Sequence, residues 1–356
     1  MATVRIGYFA NLNHGPAVIG LNNGTFQKFL GPSTTIQATI FTSGSPEMTA
    51  MLAGKIDIAY VGPSPAVNAF IESSGSALQI VSGVANGGAV FVVTNASGLT
   101  TPSQLTPGQM NGMTFAAPGV GNTQDIALRH YLQSNGYQTA NDGGTVNVAD
   151  TANANIVALM EKGTIDGAWV PEPWGAIIVA DSASHIFLNE QSLWPNGFST
   201  TELVVSSAFL NVHPDVVREI VTANLYETQW IQNNPQQADV ELSNYLGNLT
   251  GSAVSVPIIT TAMTRLSFTD DPLAASVLQQ AENAYSLGDL GTTPPTASNL
   301  AGLYNLTILD SVLGQYGLPQ VTASGAHSTP AALSAIDNLA LLNSIPRAYV
   351  SRHGAL

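Results

Sequence analysis

The chain writes one phrase twice: "GKIDIAYVGPSP" at 54–65 and "GTIDGAWVPEPW" at 163–174. Each copy reads as a glycine that ends a helix, the pair Ile-Asp, a buried strand, and a proline-bracketed turn that starts another helix. A chain built this way is committed to βα units in two similar halves. In open α/β sheets ligands bind beyond the carboxyl ends of the strands, where helix N-termini present free N–H groups. Two such turns facing each other would form a cleft, and their differences then matter: Gly62-Pro63-Ser64-Pro65 in one, Pro171-Glu172-Pro173-Trp174 in the other. The plainer explanation is that packing imposes the same grammar on any βαβ protein.

The pattern extends along the chain. "VRIGYF", "TTIQATIF", "KIDIAYVG", "LQIVSGVA", "AVFVVT", "MTFAAPG", "TVNVAD", "TIDGAWV" and "HIFLN" read as strands alternating with helices, which predicts mostly parallel sheets. Ser45-Pro46-Glu47 reads as an N-cap, a first-turn proline and a first-turn acid, with Gly54 closing that helix. After about residue 210 the pattern turns helical through "HPDVVREIVTANLYETQWIQNNP", "SVPIITTAMTRLSF", "DPLAASVLQQAENAYSLG" and "NLAGLYNLTILDSVLGQYG". "STTELVVSS" lies between the two regimes as a strand able to carry the chain back to its first half.

Composition narrows the function. At 356 residues the chain suits two domains. Charged residues are 9% of it, with 23 acids against 9 bases and a formal charge of −14, which disfavours nucleic acid and anionic membrane surfaces. Such a surface suits an exported protein, including one living in acid. No cysteine is present, which removes disulfides, thiolate metal sites and a cysteine nucleophile. Met1-Ala2 leads almost directly into a strand, so an exported form would carry its signal segment outside this sequence. The six histidines are scattered without ligand spacing, and no G-x-S-x-G, H-E-x-x-H or dinucleotide G-x-G-x-x-G occurs, so neither metal, cofactor nor catalysis is expected.

The candidate site residues sit in loops before helices. "APGVGNTQDIALRHYL" brackets a turn with Gly119 and Gly121 and then offers Asn122, Thr123 and Gln124 at a helix start, an anion-binding arrangement whose Asp125 would repel a polyphosphate. "NLNHGPAVIG" places Asn11, Asn13 and His14 before Pro16; an imidazole beside a helix N-terminus stays neutral and can give one hydrogen bond. Asn122, Thr123 and His14 also fit as simple caps. Tyr60 and Trp169 hold equivalent strand positions and belong to the core, whereas Trp174 and Trp194, in turns, suit walls against an apolar ligand part.

These segments, with "GYFANLNHGPAVIGLNNGTF", "LAGKIDIAYVGPSPAVNAF", "GAWVPEPWGA", "LWPNGFSTTELVVSSAFLNVHPDVV" and "FTDDPLAASV", occur in an order that resembles the nitrate/sulfonate/taurine group of ABC-transporter substrate-binding proteins over roughly residues 3 to 321. The resemblance implies an α/β periplasmic-binding-protein fold of type II: two lobes, crossover strands "AVFVVT" and "STTELVVSS", and a ligand in the cleft. It assigns 1–92 and 203–321 to lobe 1 and 93–202 to lobe 2, and leaves 322–356 as a tail. It implies closure of the lobes on a small-molecule ligand and a membrane permease and ATPase as partners. The expected protein is a monomer at the periplasmic or outer cell surface, peripheral to the membrane, with a lipid anchor as one native form.

Carried onto this sequence, the cleft residues are Asn11, Asn13, His14, Gly62, Ser64, Gly88, Gly121, Asn122, Thr123, Gln124, Glu172, Trp174 and Thr200. Neutral donors at the helix starts after Pro63 and Gly121 would hold an aliphatic sulfonate or a taurine-like head group, with nitrate, bicarbonate or a neutral ring as alternatives. Glu172 fits poorly beside an anion; it would cap its helix, face the permease or meet a ligand amine. A distant likeness to thiamine-pyrimidine synthases is weakened by the missing cysteines. In the tail, Thr329 before Pro330 and the spacing of Leu333, Ile336, Leu339 and Leu342 predict a helix packed on its own lobe.

Overall fold

The computed structural model describes residues 2–321, so the expected tail helix lies outside the described residues. The chain runs β1 (Ala2–Tyr8), α1 (Gly15–Asn22), α2 (Thr25–Leu30), β2 (Thr34–Ile40), α3 (Gly44–Leu52), β3 (Ile58–Val61), α4 (Pro63–Glu72) and β4 (Leu78–Gly87). It then forms β5 (Ala89–Thr94), β6 (Thr114–Ala117), α5 (Thr123–Ser134), β7 (Asn147–Asp150), α6 (Asn153–Glu161), β8 (Gly167–Pro171), α7 (Trp174–Asp181) and β9 (Ser184–Asn189). It finishes with β10 (Ser199–Ser206), α8 (Ser207–Val212), α9 (Pro214–Asn233), α10 (Pro235–Thr250), α11 (Val256–Met263), β11 (Leu266–Phe268), α12 (Ala274–Ser286) and α13 (Thr307–Gln315).

Two sheets result. The first has the order β11-β4-β10-β3-β1-β2 and the second β7-β6-β8-β5-β9. The expectation of mostly parallel sheets is corrected here. β1 pairs in parallel with β2 and β3, and β6 with β7 and β8, but β10 runs antiparallel to β3 and β4, β5 antiparallel to β8 and β9, and β11 antiparallel to β4. For β5 and β10 the physical reason is the passage between sheets; β11 instead joins the first sheet's edge after α11. A strand arriving from the other sheet enters at the end where the parallel strands finish, and so must run against them. β11 was hidden in a segment that reads as helical; the helix stops at Met263 and three residues pair with β4. The first passage falls at Gly87-Gly88, inside the span expected for lobe 1.

The repeated phrase has a structural meaning in both copies. Gly54 and Gly163 take positive φ (65° and 62°) after their helices, as a C′ glycine should. Ile56 and Ile165 are buried. Each aspartate then ties its strand to the parallel neighbour: Asp57 Oδ2 accepts from Arg5 N (2.9 Å) and Asp166 Oδ2 from Thr114 N (2.8 Å). Tyr60 and Trp169 are fully buried, as expected; Trp169 stacks on Phe91 at 5.2 Å and its Nε1 donates to Glu190, while Tyr60 donates to Asn224 (3.1 Å). In the helix starting near residue 45 the N-cap position falls to Ser43 rather than Ser45, without a side-chain cap, while Glu47 lies in the first turn as expected and is buried.

Candidate functional site

The carboxyl ends of β1, β3, β6 and β8 converge on one small cavity. Its volume is about 30 Å³, and its walls are Phe9, Asn11, Asn13, His14, Gly62, Pro65, Asn122, Thr123, Gln124, Pro171 and Thr200. Eight of the residues expected from sequence therefore meet here: Asn11, Asn13, His14, Gly62, Asn122, Thr123, Gln124 and Thr200. The walls carry neither lysine nor arginine.

Local geometry sets each donor. His14 is buried, its ring lies tilted against Phe9 at 4.5 Å, and its Nδ1 accepts from Phe9 N (3.3 Å). A neutral ring accepting at Nδ1 must carry its proton on Nε2. Burial pushes its pKa down to about 3, so the imidazole is an uncharged donor across the physiological range. Asn13 Nδ2 donates to Gly87 O (2.9 Å), Gly88 O (3.2 Å) and Thr200 Oγ1 (2.8 Å), which fixes the wall at the sheet-to-sheet passage. Gly88 has φ +80°, and a Cβ there would come within 2.9 Å of that amide.

Buried wall groups with unused hydrogen-bonding capacity are Asn13 Oδ1, an acceptor, and two groups at the start of α5. Asn122 Nδ2 and Thr123 Oγ1 are buried and have no partner among the described residues. The N–H groups of Thr123 and Gln124 lie in a helix first turn, where no carbonyl of the helix can reach them. Gly62 permits this: a Cβ on it would overlap Thr123 Oγ1. Asp125, a threat to an anion from sequence, is occupied. It accepts from Gly121 N (2.8 Å) and pairs with Arg129 (2.6 Å), whose other partner is Asp289.

Five expected residues lie elsewhere. Ser64 and Gly121 border a neighbouring hollow of about 160 Å³ beneath Met48, Leu52 and Val120. Gly88 stands behind Asn13. The α4 start offers little to a ligand, because two of its first three residues, Pro63 and Pro65, have no N–H. Glu172 is fully buried, bound to Arg265 (2.6 Å) and to Ala176 N (3.0 Å), so its carboxylate caps α7 and is not open to a ligand amine. Burial raises its pKa, opposed by Arg265. Trp174 donates to Asn11 Oδ1 (2.7 Å), and Trp194 stacks on Phe198 at 5.0 Å; both serve as struts rather than cavity walls. Phe9 lies outside the expected cleft loops, whereas Pro65 and Pro171 lie within them without having been singled out as ligand-binding residues. The two prolines stand in the repeated turns, so only a bias toward hydrogen-bonding residues concealed them.

Two mixed sheets joined by two passages, with a buried polar cavity at the strand ends between them, define the periplasmic-binding-protein fold. Solved structures of that fold match almost end to end. The nitrate-binding protein NrtA from Synechocystis PCC 6803 superposes with TM-score 0.75 at 15% identity, covering 97% of this chain and 99% of that one. The alkanesulfonate-binding protein SsuA from Xanthomonas axonopodis pv. citri, bound to MOPS, gives 0.67 at 20% identity, with 84% and 98% covered. The chain belongs to the NMT1-like family, whose model matches residues 1–243. Among curated proteins it is similar to the nitrate import ATP-binding protein NrtC of Synechocystis, at 24% identity over 53% of this chain and 27% of that one. It is also similar to the taurine-binding periplasmic protein of Escherichia coli K12, at 25% identity over 62% and 64%. The chain thus spans about a quarter and under two thirds of these relatives' lengths. Among the described residues no helix is long and apolar enough to cross a membrane.

Proposed function

We propose that this protein is the substrate-binding receptor of an ABC importer, and that its ligand is a small oxyanion held by neutral donors. The observation that carries the reading is the pair of buried, unpartnered groups Asn122 Nδ2 and Thr123 Oγ1 at the start of α5, in a cavity without a cationic wall. Fixed N–H and O–H groups with a helix dipole bind an anion without a buried lysine that would itself need a counter-charge. The neutral His14 adds a donor and no charge. Similarity to a taurine-binding periplasmic protein supports a short sulfonate such as taurine as the ligand. The smallness of the cavity favours a second reading in the same class, nitrate or bicarbonate, since those ions carry no chain.

In this reading 1–92 with 203–321 and 93–202 act as lobes that close on the ligand, a permease and an ATPase receive it, and the receptor works outside the cytoplasm. The test is a thermal-shift and calorimetric screen of protein freed of ligand by unfolding and dialysis. At 100 times its dissociation constant a ligand adds about 2.7 kcal/mol of stability. A shift with methanesulfonate, taurine, nitrate or bicarbonate, weakened by competing sulfate, is expected. Shifts from neutral rings alone overturn the anion reading.

A further inference from the structure

Asn122 uses the two ends of its amide on two different parts of the molecule. It precedes α5, beside the second sheet, yet gives its own helix no side-chain cap. Its Oδ1 instead accepts from Gly44 N (2.7 Å) and Ser45 N (3.2 Å), at the start of α3 beside the first sheet. Its Nδ2 is buried, unpartnered and part of the cavity residue. Two backbone donors can be met only by the oxygen, so the amide's orientation is determined by chemistry. Both ends of the amide are closely packed against glycines. A Cβ on Gly44 would come within 2.8 Å of Oδ1, and one on Gly119, already at φ +82°, would overlap Nδ2. Ser45 Oγ adds a second thread at the same junction by donating to Val120 O (3.2 Å).

We propose that Asn122 couples ligand charge to closure of the cleft: its oxygen holds α3 across the cleft while its NH₂ faces a ligand that accepts hydrogen bonds. The inference rests on the receptor reading above and deepens it. An anion accepts from Nδ2 and leaves Oδ1 on α3, so binding and closure reinforce each other. A cation or a pure donor needs the oxygen. Satisfying it turns the NH₂ toward Gly44 N and Ser45 N, donor against donor, and the junction opens. Selection for negative charge then resides in one uncharged side chain.

Two variants of the full chain test this, with nitrate and methanesulfonate as probes, calorimetry and stopped-flow for binding, and small-angle scattering for compaction. Asn122→Asp keeps an acceptor for α3 and loses the donor; its unliganded melting temperature should match wild type or exceed it, while affinity for both anions falls at least roughly tenfold. Gly44→Ala adds a methyl that presses on Asn122 Oδ1 and on the wall residue Pro65, so it strains the α3 junction while leaving the Asn122 NH₂ in place. It should weaken both anions by about tenfold through faster dissociation and abolish the compaction seen in wild type. Unchanged dissociation and compaction in Gly44→Ala make Asn122 a plain ligand contact and overturn the coupling, as does wild-type affinity in Asn122→Asp. Wild-type protein that binds neither probe overturns the receptor reading for these ions and the coupling with it. If Asn122→Asp fails to fold, Gly44→Ala alone decides.

Discussion

The two copies of the repeated phrase end in turns that have parted company. The first, Gly62 to Pro65, stays clear of other hydrogen bonding at its side chains and lends the cavity Gly62 and Pro65 as shape. The second is tied on every side: Glu172 N donates to Gly88 O (2.9 Å), Leu12 N donates to Glu172 O (2.9 Å), and the carboxylate holds Arg265 and Ala176 N. One turn serves as a wall, and the other, though it lends the cavity Pro171, serves mainly as a brace. Equal backbone grammar thus fixes where a turn lies, and the side chains decide whether it meets a ligand or the frame.

The sharpest way to break the comparison is Arg265→Ala, which leaves the fully buried Glu172 carboxylate without its partner. A loss of about 3–5 kcal/mol is expected in urea unfolding at neutral pH, with Glu172→Gln/Arg265→Met recovering most of it. A brace of no consequence would cost under about 1 kcal/mol.

Next comes pH, which acts with opposite sign on the two regions. Glu190, bonded to Trp169 on the strand that leads to the second turn, has its pKa raised by burial to about 8. Between the ordinary carboxylate value and 8 the native state binds the extra proton, so this stability is present in acid and is lost as pH rises through 8. His14, in the cavity wall, has its pKa lowered to about 3. There the unfolded state binds the extra proton below about 6.5, and stability is lost as pH falls. Unfolding at a series of pH values should show a maximum in the mildly acid range. Glu190→Gln should remove on the order of a few kcal/mol of the alkaline decline.

Gly62→Ala attacks the wall. The added methyl overlaps Thr123 Oγ1, so about 1–3 kcal/mol of stability and anion affinity should fall together, read by melting and calorimetry. Affinity lost in Arg265→Ala as severely as in Gly62→Ala would erase the distinction between brace and wall. The smallest effect belongs to Trp174→Phe, which removes the bond to Asn11 Oδ1. About 1 kcal/mol is expected, with anion affinity unchanged.

Much of this was legible because it depends on neighbours in sequence. The strands of both halves, the C′ glycines at Gly54 and Gly163, and the polar run Asn122-Thr123-Gln124 before a helix all follow from local period and cap chemistry. The wall residues Asn13 and Thr200 were marked by their place at strand ends, although the bond between them was invisible. What escaped involves long separations. Nothing near Glu172 shows that Arg265 will reach it, although a chain with nine basic residues leaves a buried carboxylate few partners. The donor-poor start of α4 was visible in Pro63 and Pro65 and was outweighed by the general rule for helix N-termini. The antiparallel course of β5 and β10 followed from how the chain changes sheets, which local pattern does not encode.

That change of sheet has an evolutionary consequence. Everything in the second sheet is one uninterrupted stretch, β5 to β9, and the chain leaves and re-enters the first sheet at adjoining points, with Asn86 opposite Ser199 and Gly87 N bonded to Phe198 O (2.8 Å). A segment whose two ends touch can be exchanged as a cassette. One recombination between Gly88 and Phe198 would replace Asn122, Thr123, Gln124 and Pro171 together while leaving Asn11, Asn13, His14 and Gly62 in place, so half of a binding site can be inherited from one ancestor and half from another.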